Sequence, residues 1–257
     1  DWYEKRIDAN KNILGPMKWW NFVDWNQQFP GGTPDGANEG NSSVITFQYV
    51  YTLKQAADLF SYFGKTAEAN HYRSLAEKLG KSTFALCYDA QKGVLANTPL
   101  KNTFSQHASI MAILSGSVPK ELQQKIMMNV LTDASISQAT FYYRFYLNRA
   151  LNYTGNAERY YKELKPWRDM IELGLTTFAE EPDPTRSDCH AWSSSPNYDF
   201  FATICGITPS KPGFAAVNIT PALGELNHVV GEMPHPNGMI KVQIQKAGAV
   251  GISADIE

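Results

Sequence analysis

The sequence predicts a mainly α-helical protein in which antiparallel helical hairpins form part of a toroid and antiparallel β-strands follow. Three observations carry this prediction. Apolar residues recur at the i, i+3, i+4, i+7 spacing of helices over about the first 206 residues. The predicted helices fall into pairs whose two members differ in character. After these helices the apolar period drops to two, which is typical of half-buried strands.

Glycines, prolines and polar capping residues set the limits of the predicted helices. Asn41, Ser42 and Ser43 form a cap cluster before a strongly apolar segment, and Gly64 ends that segment. Pro119 opens a later helix, because proline is tolerated in a first helical turn. The predicted helices span residues 2–14, 41–63, 66–86, 104–115, 119–131, 140–154, 157–173 and 194–205.

Most of these helices form three antiparallel pairs, at 42–86, 104–131 and 139–173. In each pair one member is strongly apolar or aromatic and the other is conventionally amphipathic. Two concentric layers would produce this contrast, because inner helices are buried on more sides. A tandem-repeat solenoid is the alternative, but the pairs are unequal in length and no signature recurs at a fixed period. The toroid is therefore the favoured interpretation.

Short alternating segments separated by turns make up the rest of the chain. The tripeptide Pro236-Asn237-Gly238 is a turn signal of the kind found in hairpins. These features divide the chain into a helical region, residues 1–206, and a strand region, residues 207–257. Because the strands lack a closing partner and both ends interrupt an element, we expect a piece of a longer polypeptide. The alternating apolar residues are Val217, Ile219, Val229, Met233, Val250, Ile252, Ala254 and Ile256.

The composition limits the classes of function. The 257 residues carry a formal net charge of −2, and 43% of them are hydrophobic. With no excess of positive charge to hold a polyanion, neither nucleic acid nor an acidic membrane is an expected partner. No apolar run approaches the ~20 residues that span a bilayer. Three scattered cysteines provide neither a disulfide framework nor a metal site, and no cofactor is predicted.

Residues 176–192 are the strongest candidate for catalytic chemistry. The segment lies between two predicted helices and combines four carboxylates with an arginine, a histidine and two prolines. Crowding raises the pKa of one carboxyl group, as an acid or base near neutral pH requires, and Arg186 would hold a neighbouring carboxylate ionised. His190 would orient a substrate hydroxyl. The alternative is a solvated acidic loop with a helix cap at Asp188. The carboxylates are Glu180, Glu181, Asp183 and Asp188.

A second candidate is the aromatic segment at residues 19–25, which contains three tryptophans. Indole faces stack on the apolar faces of pyranose rings, while carboxylate and amide groups bind the hydroxyls, so the segment indicates a sugar site. The alternative is core packing. We expect either Trp19 or Trp20 to lie in the core, because adjacent residues rarely face the same way. Asp24, placed between aromatic residues, is harder to explain by packing alone.

Polar residues near two helix starts are weaker candidates. Gln106 and His107 begin one apolar helix, and Tyr142 and Tyr143 lie near the start of another. Helix starts at one rim of a toroid would face a shared cavity. For His107, a place in the core or on the surface is favoured over a role in the site.

These segments together resemble the bacterial α-L-rhamnosidases of glycoside hydrolase family 78. The similarity spans nearly the whole chain, and its motifs keep their order. They are Phe22-Val23-Asp24-Trp25, Thr176-Thr177, Arg186-Ser187-Asp188-Cys189-His190-Ala191-Trp192-Ser193, Gly206-Ile207-x-Pro209, Pro212-Gly213-Phe214 and Pro234-His235-Pro236-x-Gly238.

The resemblance implies a partial (α/α)6 catalytic barrel, of which this chain contains the later part, followed by the start of a C-terminal β-sandwich. It also implies inverting hydrolysis by one carboxylic acid and one carboxylate. The base maps onto Glu180, but Ala179 stands where many relatives have tryptophan and Glu181 follows, so both glutamates are candidates. The predicted substrate-binding residues are Asp24, Trp25, Tyr142, Glu181, Arg186, Asp188, His190 and Trp192.

The general acid of the family has no counterpart in residues 1–40. We therefore expect it in the rest of the parent polypeptide, which would hydrolyse a rhamnosylated glycan or glycoside, while this piece alone would be inactive or nearly so. Two alternatives stay open. One is a carbohydrate-binding fragment without catalytic activity, and the other is a toroidal glycosidase or lyase with a different sugar specificity.

Overall fold

The structure, a computed structural model, describes residues 2–182, 184–248 and 251–257. The chain forms two compact units, one ending at Thr154 and the other beginning at Gly155. Among the described helices, none combines the length and apolarity that crossing a bilayer requires.

The helices of the first unit are α1 (Ser43–Tyr62), α2 (Thr66–Cys87), α3 (Gln106–Leu114), α4 (Lys120–Thr132) and α5 (Phe141–Tyr153). The pairs α1–α2 and α3–α4 pack together, and α3 also contacts α1 and α5. Residues 106–113 of α3 are all buried, whereas the buried residues of α4 are Ile126, Met127 and Val130. This difference in burial is the predicted contrast between an inner and an outer helix.

The limits of α1 follow the predicted capping residues. The Ser42 hydroxyl accepts a hydrogen bond from the backbone N–H of Ile45 at 3.5 Å, which supplies one of the acceptors missing at a helix start. Gly64 follows the helix with a φ of 70°, a left-handed conformation that glycine adopts without steric cost. The chain therefore reverses there into α2.

Residues 2–14 do not form the predicted helix. A 3-10 turn at Glu4–Arg6 leads into an antiparallel hairpin of β1 (Ile7–Asp8) and β2 (Ile13–Leu14). Within it, Asp8 Oδ1 accepts hydrogen bonds from the backbone N–H groups of Asn10 at 2.9 Å and Lys11 at 3.2 Å. An aspartate that binds the backbone in this way stabilises a turn in competition with a helix.

The same hairpin recurs before α3, where β3 (Tyr88–Asp89) pairs with β4 (Val94–Leu95). Asp89 Oδ1 accepts from the backbone N–H groups of Gln91 and Lys92, both at 2.9 Å. The two sequences are Ile-Asp-Ala-Asn-Lys-Asn-Ile-Leu and Tyr-Asp-Ala-Gln-Lys-Gly-Val-Leu. The chain thus contains a repeated motif, which the sequence analysis missed.

Each of these hairpins is tied to the inner helix that follows it. The backbone N–H of Leu14 donates to Thr46 Oγ1 at 3.2 Å, and that of Leu95 donates to Ser109 Oγ at 3.0 Å. Thr46 and Ser109 occupy the fourth position of α1 and α3 respectively. The repeat is therefore one of structure, although the length of chain between hairpin and helix differs.

The helices of the second unit are α6 (Tyr160–Glu163), α7 (Lys165–Glu172) and α8 (Ser195–Asp199). The helix predicted at 157–173 is interrupted between α6 and α7. Pro166 lies in the first turn of α7, and since proline has no N–H to donate, it begins a new helix more readily than it continues an old one. The helix predicted at 194–205 is observed as α8 followed by a π-helical segment, Phe200–Ile204.

The strands lie after these helices, as predicted. β5 (Ile207–Pro209) pairs with β6 (Val217–Ile219), and β7 (His228–His235), β8 (Gly238–Ala247) and β9 (Gly251–Ile256) form an antiparallel sheet in the order β7–β8–β9. His235 pairs with Gly238, which confirms the predicted turn. The predicted strand residue Val250 lies outside the described residues.

The strand that runs through the middle of this sheet shows the predicted period of two. Val242 and Ile244 of β8 are buried, while their neighbours on either side are exposed. A mainly helical protein with antiparallel strands is therefore confirmed. The division into domains at residues 206 and 207 stays a prediction.

Candidate active site

The loop that follows α7 folds back on itself around Glu180. The backbone N–H of Glu180 donates to the carbonyl oxygens of Arg186 at 3.0 Å and Ser187 at 3.2 Å. The N–H of His190 donates to the carbonyl oxygen of Phe178 at 2.6 Å. Ser187 has a φ of 48°, which is uncommon for a residue other than glycine. This folding brings residues at both ends of the predicted catalytic segment together.

Glu180 and Arg186 form a bidentate ion pair. Arg186 Nε donates to Oε2 of Glu180 at 3.0 Å, and Nη2 donates to Oε1 at 2.8 Å. The Glu180 side chain is 7% exposed and the Arg186 side chain 54%. Two parallel charge-assisted hydrogen bonds fix the orientation of the carboxylate. Arg186 Nη2 also lies 3.5 Å from Oε1 of Glu181, whose side chain is 30% exposed.

The pKa of Glu180 is lowered from an ordinary value of 4.5 to about 2. The hydrogen bonds from Arg186 are the main cause, and burial acts in the opposite direction. A hydrogen bond from Ser187 and the positive charges of Arg186 and His190 lower the pKa further. Glu180 is therefore not the carboxyl group whose pKa crowding was expected to raise, and Arg186 holds this carboxylate ionised. An ionised carboxylate can accept a proton but cannot donate one.

His190 and Trp192 lie beside Glu180. His190 Nδ1 is 3.9 Å from Glu180 Oε2, and the ring centroids of His190 and Trp192 are 4.4 Å apart. Trp192 Nε1 donates to the backbone carbonyl of Glu180 at 3.4 Å. Asp188 is exposed and does not cap the short 3-10 helix Ala191–Ser193, whose capping position is His190. The fourth predicted carboxylate, Asp183, lies outside the described residues.

In the first unit, Phe22 joins the predicted residues Trp25 and Tyr142 in an aromatic cluster. Its ring centroid lies 5.0 Å from that of Trp25, 6.3 Å from Tyr142 and 5.3 Å from Trp20. Phe22, Trp25 and Tyr142 are half-buried. Phe22 belongs to the predicted motif at residues 22–25, but it was not among the predicted substrate-binding residues.

Asp24 is wholly buried. Its Oδ2 accepts a hydrogen bond from the backbone N–H of Thr140 at 2.8 Å and lies 2.7 Å from His107 Nε2, while Oδ1 accepts from the Thr140 hydroxyl. Asp24 has no exposed surface and both of its oxygens are engaged by protein groups, and its predicted role in substrate binding stays a prediction. In this structure Asp24 holds its segment against the start of α5.

His107 is buried, as the sequence favoured, between the rings of Phe29 and Tyr143 at centroid distances of 4.8 and 4.3 Å. Among the described residues, its Nδ1 has no hydrogen-bond partner. A proton on Nδ1 would be a buried donor without an acceptor, which is costly. The tautomer protonated on Nε2 therefore fits best, and it donates to Asp24.

Asn26 and Gln106 add to the contact made by Asp24. Asn26 binds the carbonyl oxygen of Gln138 and the hydroxyl of Ser137 through its amide. Gln106 Oε1 accepts from the backbone N–H of Ala139 at 2.8 Å, and Gln106 Nε2 donates to the carbonyl oxygen of Val130 at 2.8 Å. The segment leading into α5 is thus held by the buried side chains of Asp24 and Gln106 and by the half-buried Asn26. Asn26 and Thr140 were not predicted from the sequence. For Asn26, the available signal was its alternation with Asp24 on either side of Trp25.

Trp19 and Trp20 are both exposed, by 64% and 69%. The expectation that one of them lies in the core is wrong. Val23 and Phe29 are the buried apolar residues of this segment, so the core is filled without either tryptophan. Trp20 is nevertheless fixed in place, because its Nε1 donates to the carbonyl oxygen of Gly31 at 2.8 Å.

A cavity of about 740 Å³ lies in the second unit next to the start of the catalytic loop. Its lining is mainly apolar and includes Leu164, Trp167, Phe178 and Phe200, but not Glu180. The cavity is therefore distinct from the predicted catalytic centre.

Residues 1–204 match the family model described as the bacterial alpha-L-rhamnosidase 6 hairpin glycosidase domain. The chain belongs to this family. The resemblance seen in the sequence motifs is thereby confirmed. A curated α-L-rhamnosidase of Alteromonas sp. (strain LOR) is 26% identical over 269 residues, which cover 94% of this chain and 28% of that protein. The chain thus spans well under two thirds of the length of this relative.

Two solved rhamnosidases share the fold of this six-hairpin glycosidase chain. The family 78 rhamnosidase of Bacillus sp. GL1 superposes with a TM-score of 0.86 at 24% identity, over 99% of this chain and 28% of that chain. The rhamnosidase of Klebsiella oxytoca with rhamnose bound superposes with a TM-score of 0.64 at 23% identity, over 76% of this chain and 39% of that chain.

The predicted site residues of this rhamnosidase-family chain fall into two groups. Glu180, Glu181, Arg186, His190 and Trp192 meet in the loop of the second unit. Trp25 and Tyr142 meet through Phe22 in the first unit.

Proposed function

We propose that this chain is part of an α-L-rhamnosidase that hydrolyses terminal α-L-rhamnosyl linkages with inversion, and that Glu180 is its general base. Membership of the rhamnosidase six-hairpin family supports the reaction and the substrate class. The observation that carries the role of Glu180 is the bidentate contact with Arg186, which keeps a nearly buried carboxylate ionised.

The reaction requires a base that accepts a proton and an acid that donates one. Glu180 removes a proton from a water molecule, whose oxygen forms a bond to the anomeric carbon on the face opposite the leaving group. The bond between that carbon and the glycosidic oxygen breaks, and the general acid protonates this oxygen. The two carboxyl groups of an inverting enzyme stand roughly 6.5–9.5 Å apart, which leaves room for the water.

We assign the general acid to the part of the parent protein that this chain does not span. In the described residues of the catalytic loop, Glu180 is held ionised, so it does not serve as the acid. The motif that supplies the acid in family members has no counterpart in residues 1–40. The isolated chain is accordingly proposed to be inactive or nearly so.

Glu181 is the alternative base and provides the matched control. It follows Glu180 directly, has a more exposed side chain and touches Arg186 through one longer contact of 3.5 Å. A glutamine at either position keeps the size of the side chain and removes its negative charge. The two variants therefore separate the role of each carboxylate with little change in packing.

The test is the hydrolysis of an aryl α-L-rhamnoside by Glu180→Gln and Glu181→Gln variants of the full-length protein. Loss of a general base lowers kcat by about 10²–10⁴-fold, so we expect that loss for Glu180→Gln and little change for Glu181→Gln. NMR of freshly released rhamnose should show the inverted anomer first. A fully active Glu180→Gln variant would remove the assignment, and a large loss in Glu181→Gln alone would transfer it.

A further inference from the structure

Two tryptophans of the second unit connect Glu180 to α7. Trp167, which lies in α7, donates a hydrogen bond from its Nε1 to the carbonyl oxygen of Ser193 at 2.7 Å. Ser193 ends the short 3-10 helix Ala191–Ser193, whose middle residue is Trp192. Trp192 Nε1 in turn donates to the backbone carbonyl oxygen of Glu180 at 3.4 Å. A series of contacts therefore leads from a helix of the scaffold to the backbone of the proposed base.

This series of contacts has a different effect from the ion pair with Arg186. Arg186 and Ser187 bind Glu180 from within the same loop, and the Arg186 side chain is 54% exposed. Their contacts orient the carboxylate relative to the loop, but they do not by themselves fix the loop against α7. Trp167 and Ser193 are both buried. Trp192 thus joins the backbone of Glu180 to a packed part of the unit.

Trp192 also contacts the histidine beside Glu180. The ring centroids of Trp192 and His190 lie 4.4 Å apart, and His190 Nδ1 is 3.9 Å from Glu180 Oε2. The indole is half-buried, and its two parts have separate contacts, the N–H with the backbone of Glu180 and the ring with His190. One side chain therefore restricts the position of both neighbours.

We propose that Trp192 is a positioning residue for the general base, which holds Glu180 and His190 in the arrangement that the reaction uses. The inference rests on the proposed function, and it differs from the substrate-binding role that the sequence predicts for Trp192. A group that contacts the substrate affects its binding. A group that positions the base affects the rate of the chemical step, because a misplacement of about 1 Å at a catalytic group costs up to about 10²-fold.

The first test measures kcat and KM of the full-length protein on an aryl α-L-rhamnoside. Trp192→Phe keeps an aromatic ring beside His190 and removes the N–H donor to Glu180. We expect kcat to fall about five- to fiftyfold, while KM and the inhibition constant of L-rhamnose stay within about twofold of the wild type. An unchanged kcat, or an effect confined to KM and the inhibition constant, would overturn the proposal.

The second test is a double-mutant cycle with Glu180→Gln. If Trp192 acts through the carboxylate of Glu180, its replacement has little further effect once that carboxylate is gone. The double variant should then have the kcat of Glu180→Gln within about twofold. If the two losses multiplied instead, Trp192 would act independently of the base and the proposal would fail. A fully active Glu180→Gln variant would remove the proposed function itself, which is a separate result.

The matched control is Trp167→Phe, which also removes an indole N–H donor to a backbone carbonyl, but at Ser193 rather than at Glu180. We expect it to lower Tm more and kcat less than Trp192→Phe does. Equal losses of kcat and Tm in the two variants would show a general structural role and overturn the proposal. If Trp192→Phe does not fold, β-(3-benzothienyl)alanine at position 192 replaces the N–H by sulfur at nearly constant size, and the same outcomes apply.

Discussion

The ion pair between Arg186 and Glu180 would have two opposite effects on the proposed general base. It keeps the carboxylate ionised and oriented through two hydrogen bonds, at 3.0 and 2.8 Å. It also makes Glu180 a weak proton acceptor, because a base works best when its pKa is near the operating pH. A pKa of about 2 lies well below that point. Under the proposed mechanism, Arg186 would be a positioning residue whose contact weakens as Glu180 accepts its proton.

Replacing Arg186 should move the acidic limit of activity to higher pH. Without Arg186, burial still raises the pKa of Glu180, while the hydrogen bond from Ser187 and the charge of His190 still lower it, so we expect the pKa to rise from about 2 toward its ordinary value of 4.5. For Arg186→Met in the full-length protein, kcat/KM at pH 4 should then be lower than at pH 6, by up to about fourfold. The wild type should show no loss from protonation of Glu180 in this range, because its pKa is lowered to about 2.

The control for this profile is Arg186→Lys, which keeps the charge but loses the fork of parallel donors. It should give an acidic limit between those of the other two proteins. Three identical pH profiles of kcat/KM would show that Arg186 does not set the ionisation of the base. Far-UV circular dichroism at each pH separates this effect from unfolding.

The residue types predicted the contacts within residues 176–192 better than they predicted the burial of residues in the aromatic segment. An arginine and a carboxylate in one loop attract each other when the loop brings them close. The ion pair of Arg186 with a neighbouring carboxylate could therefore be inferred from composition alone. The burial of Asp24 could not, because its partners His107 and Thr140 are distant in the sequence. The prediction that either Trp19 or Trp20 lies in the core was wrong for a related reason. The carbonyl of Gly31 that holds Trp20 in place belongs to a separate turn.

At the scale of elements, the repeated hairpin shows how a short motif positions an inner helix. Both copies have an aspartate that binds two backbone N–H groups, and both end in a leucine that donates to the fourth residue of a helix. The hairpin is thus tied to the fourth residue of α1 in one case and of α3 in the other. A search for a fixed period missed the motif, because the segments between hairpin and helix differ in length.

Asp89 should be a main determinant of local stability in the second hairpin. Asp89→Ala leaves the N–H groups of Gln91 and Lys92 without their acceptor at 2.9 Å. Loss of such a cap costs about 1–2 kcal/mol, which corresponds to roughly a five- to thirtyfold loss of protection. Hydrogen exchange of the peptide containing residues 88–95, measured by mass spectrometry in the full-length protein, would detect it.

Asp89→Asn retains the Oδ1 acceptor and should stay within a few fold of the wild-type protection. If alanine and asparagine gave equal exchange rates, the side-chain acceptor would not be what holds the turn. Asp8→Ala should raise exchange in residues 7–14 and leave residues 88–95 unchanged. In the part of the chain that the structure describes, the Asp8 carboxylate contacts only Asn10 and Lys11, and the Asp89 carboxylate contacts only Gln91 and Lys92.

Helix limits could be predicted where a glycine or cap interrupts the apolar pattern, as at Ser42 and Gly64. Helix limits could not be predicted where the hydrogen bonding of one local residue outweighed the apolar pattern. Asp8 converts an apparently helical segment into a turn, and Pro166 divides one predicted helix into α6 and α7. In both cases the decisive residue was visible, but its effect depends on hydrogen bonds that an apolar period does not report.

At the scale of the whole molecule, the toroid was predictable because burial in two layers leaves a trace in composition. The inner helix α3 is buried along residues 106–113, and its apolar sequence predicts this burial. No such pattern in the sequence indicates how residues 176–192 relate to the aromatic segment at residues 19–25. The chain covers 28% of the Alteromonas α-L-rhamnosidase that it matches.

The isolated chain tests whether the general acid lies elsewhere in the parent protein. An aryl rhamnoside with a strongly acidic phenol as leaving group needs little protonation, whereas an alkyl rhamnoside needs an acid, whose loss costs about 10²–10⁴-fold. We therefore expect the isolated chain to be inactive or nearly so on both substrates, with the larger deficit relative to the full-length protein on the alkyl substrate. Any residual activity on the activated substrate should disappear in Glu180→Gln.

The comparison of two leaving groups separates a missing acid from a disrupted fold. A disrupted fold lowers both activities equally and changes the circular dichroism spectrum, whereas a missing acid lowers them unequally in a folded chain. If the isolated chain hydrolysed the alkyl rhamnoside within tenfold of the full-length rate, it would contain its own acid. The acid would then have to be sought among the other carboxylates of these 257 residues.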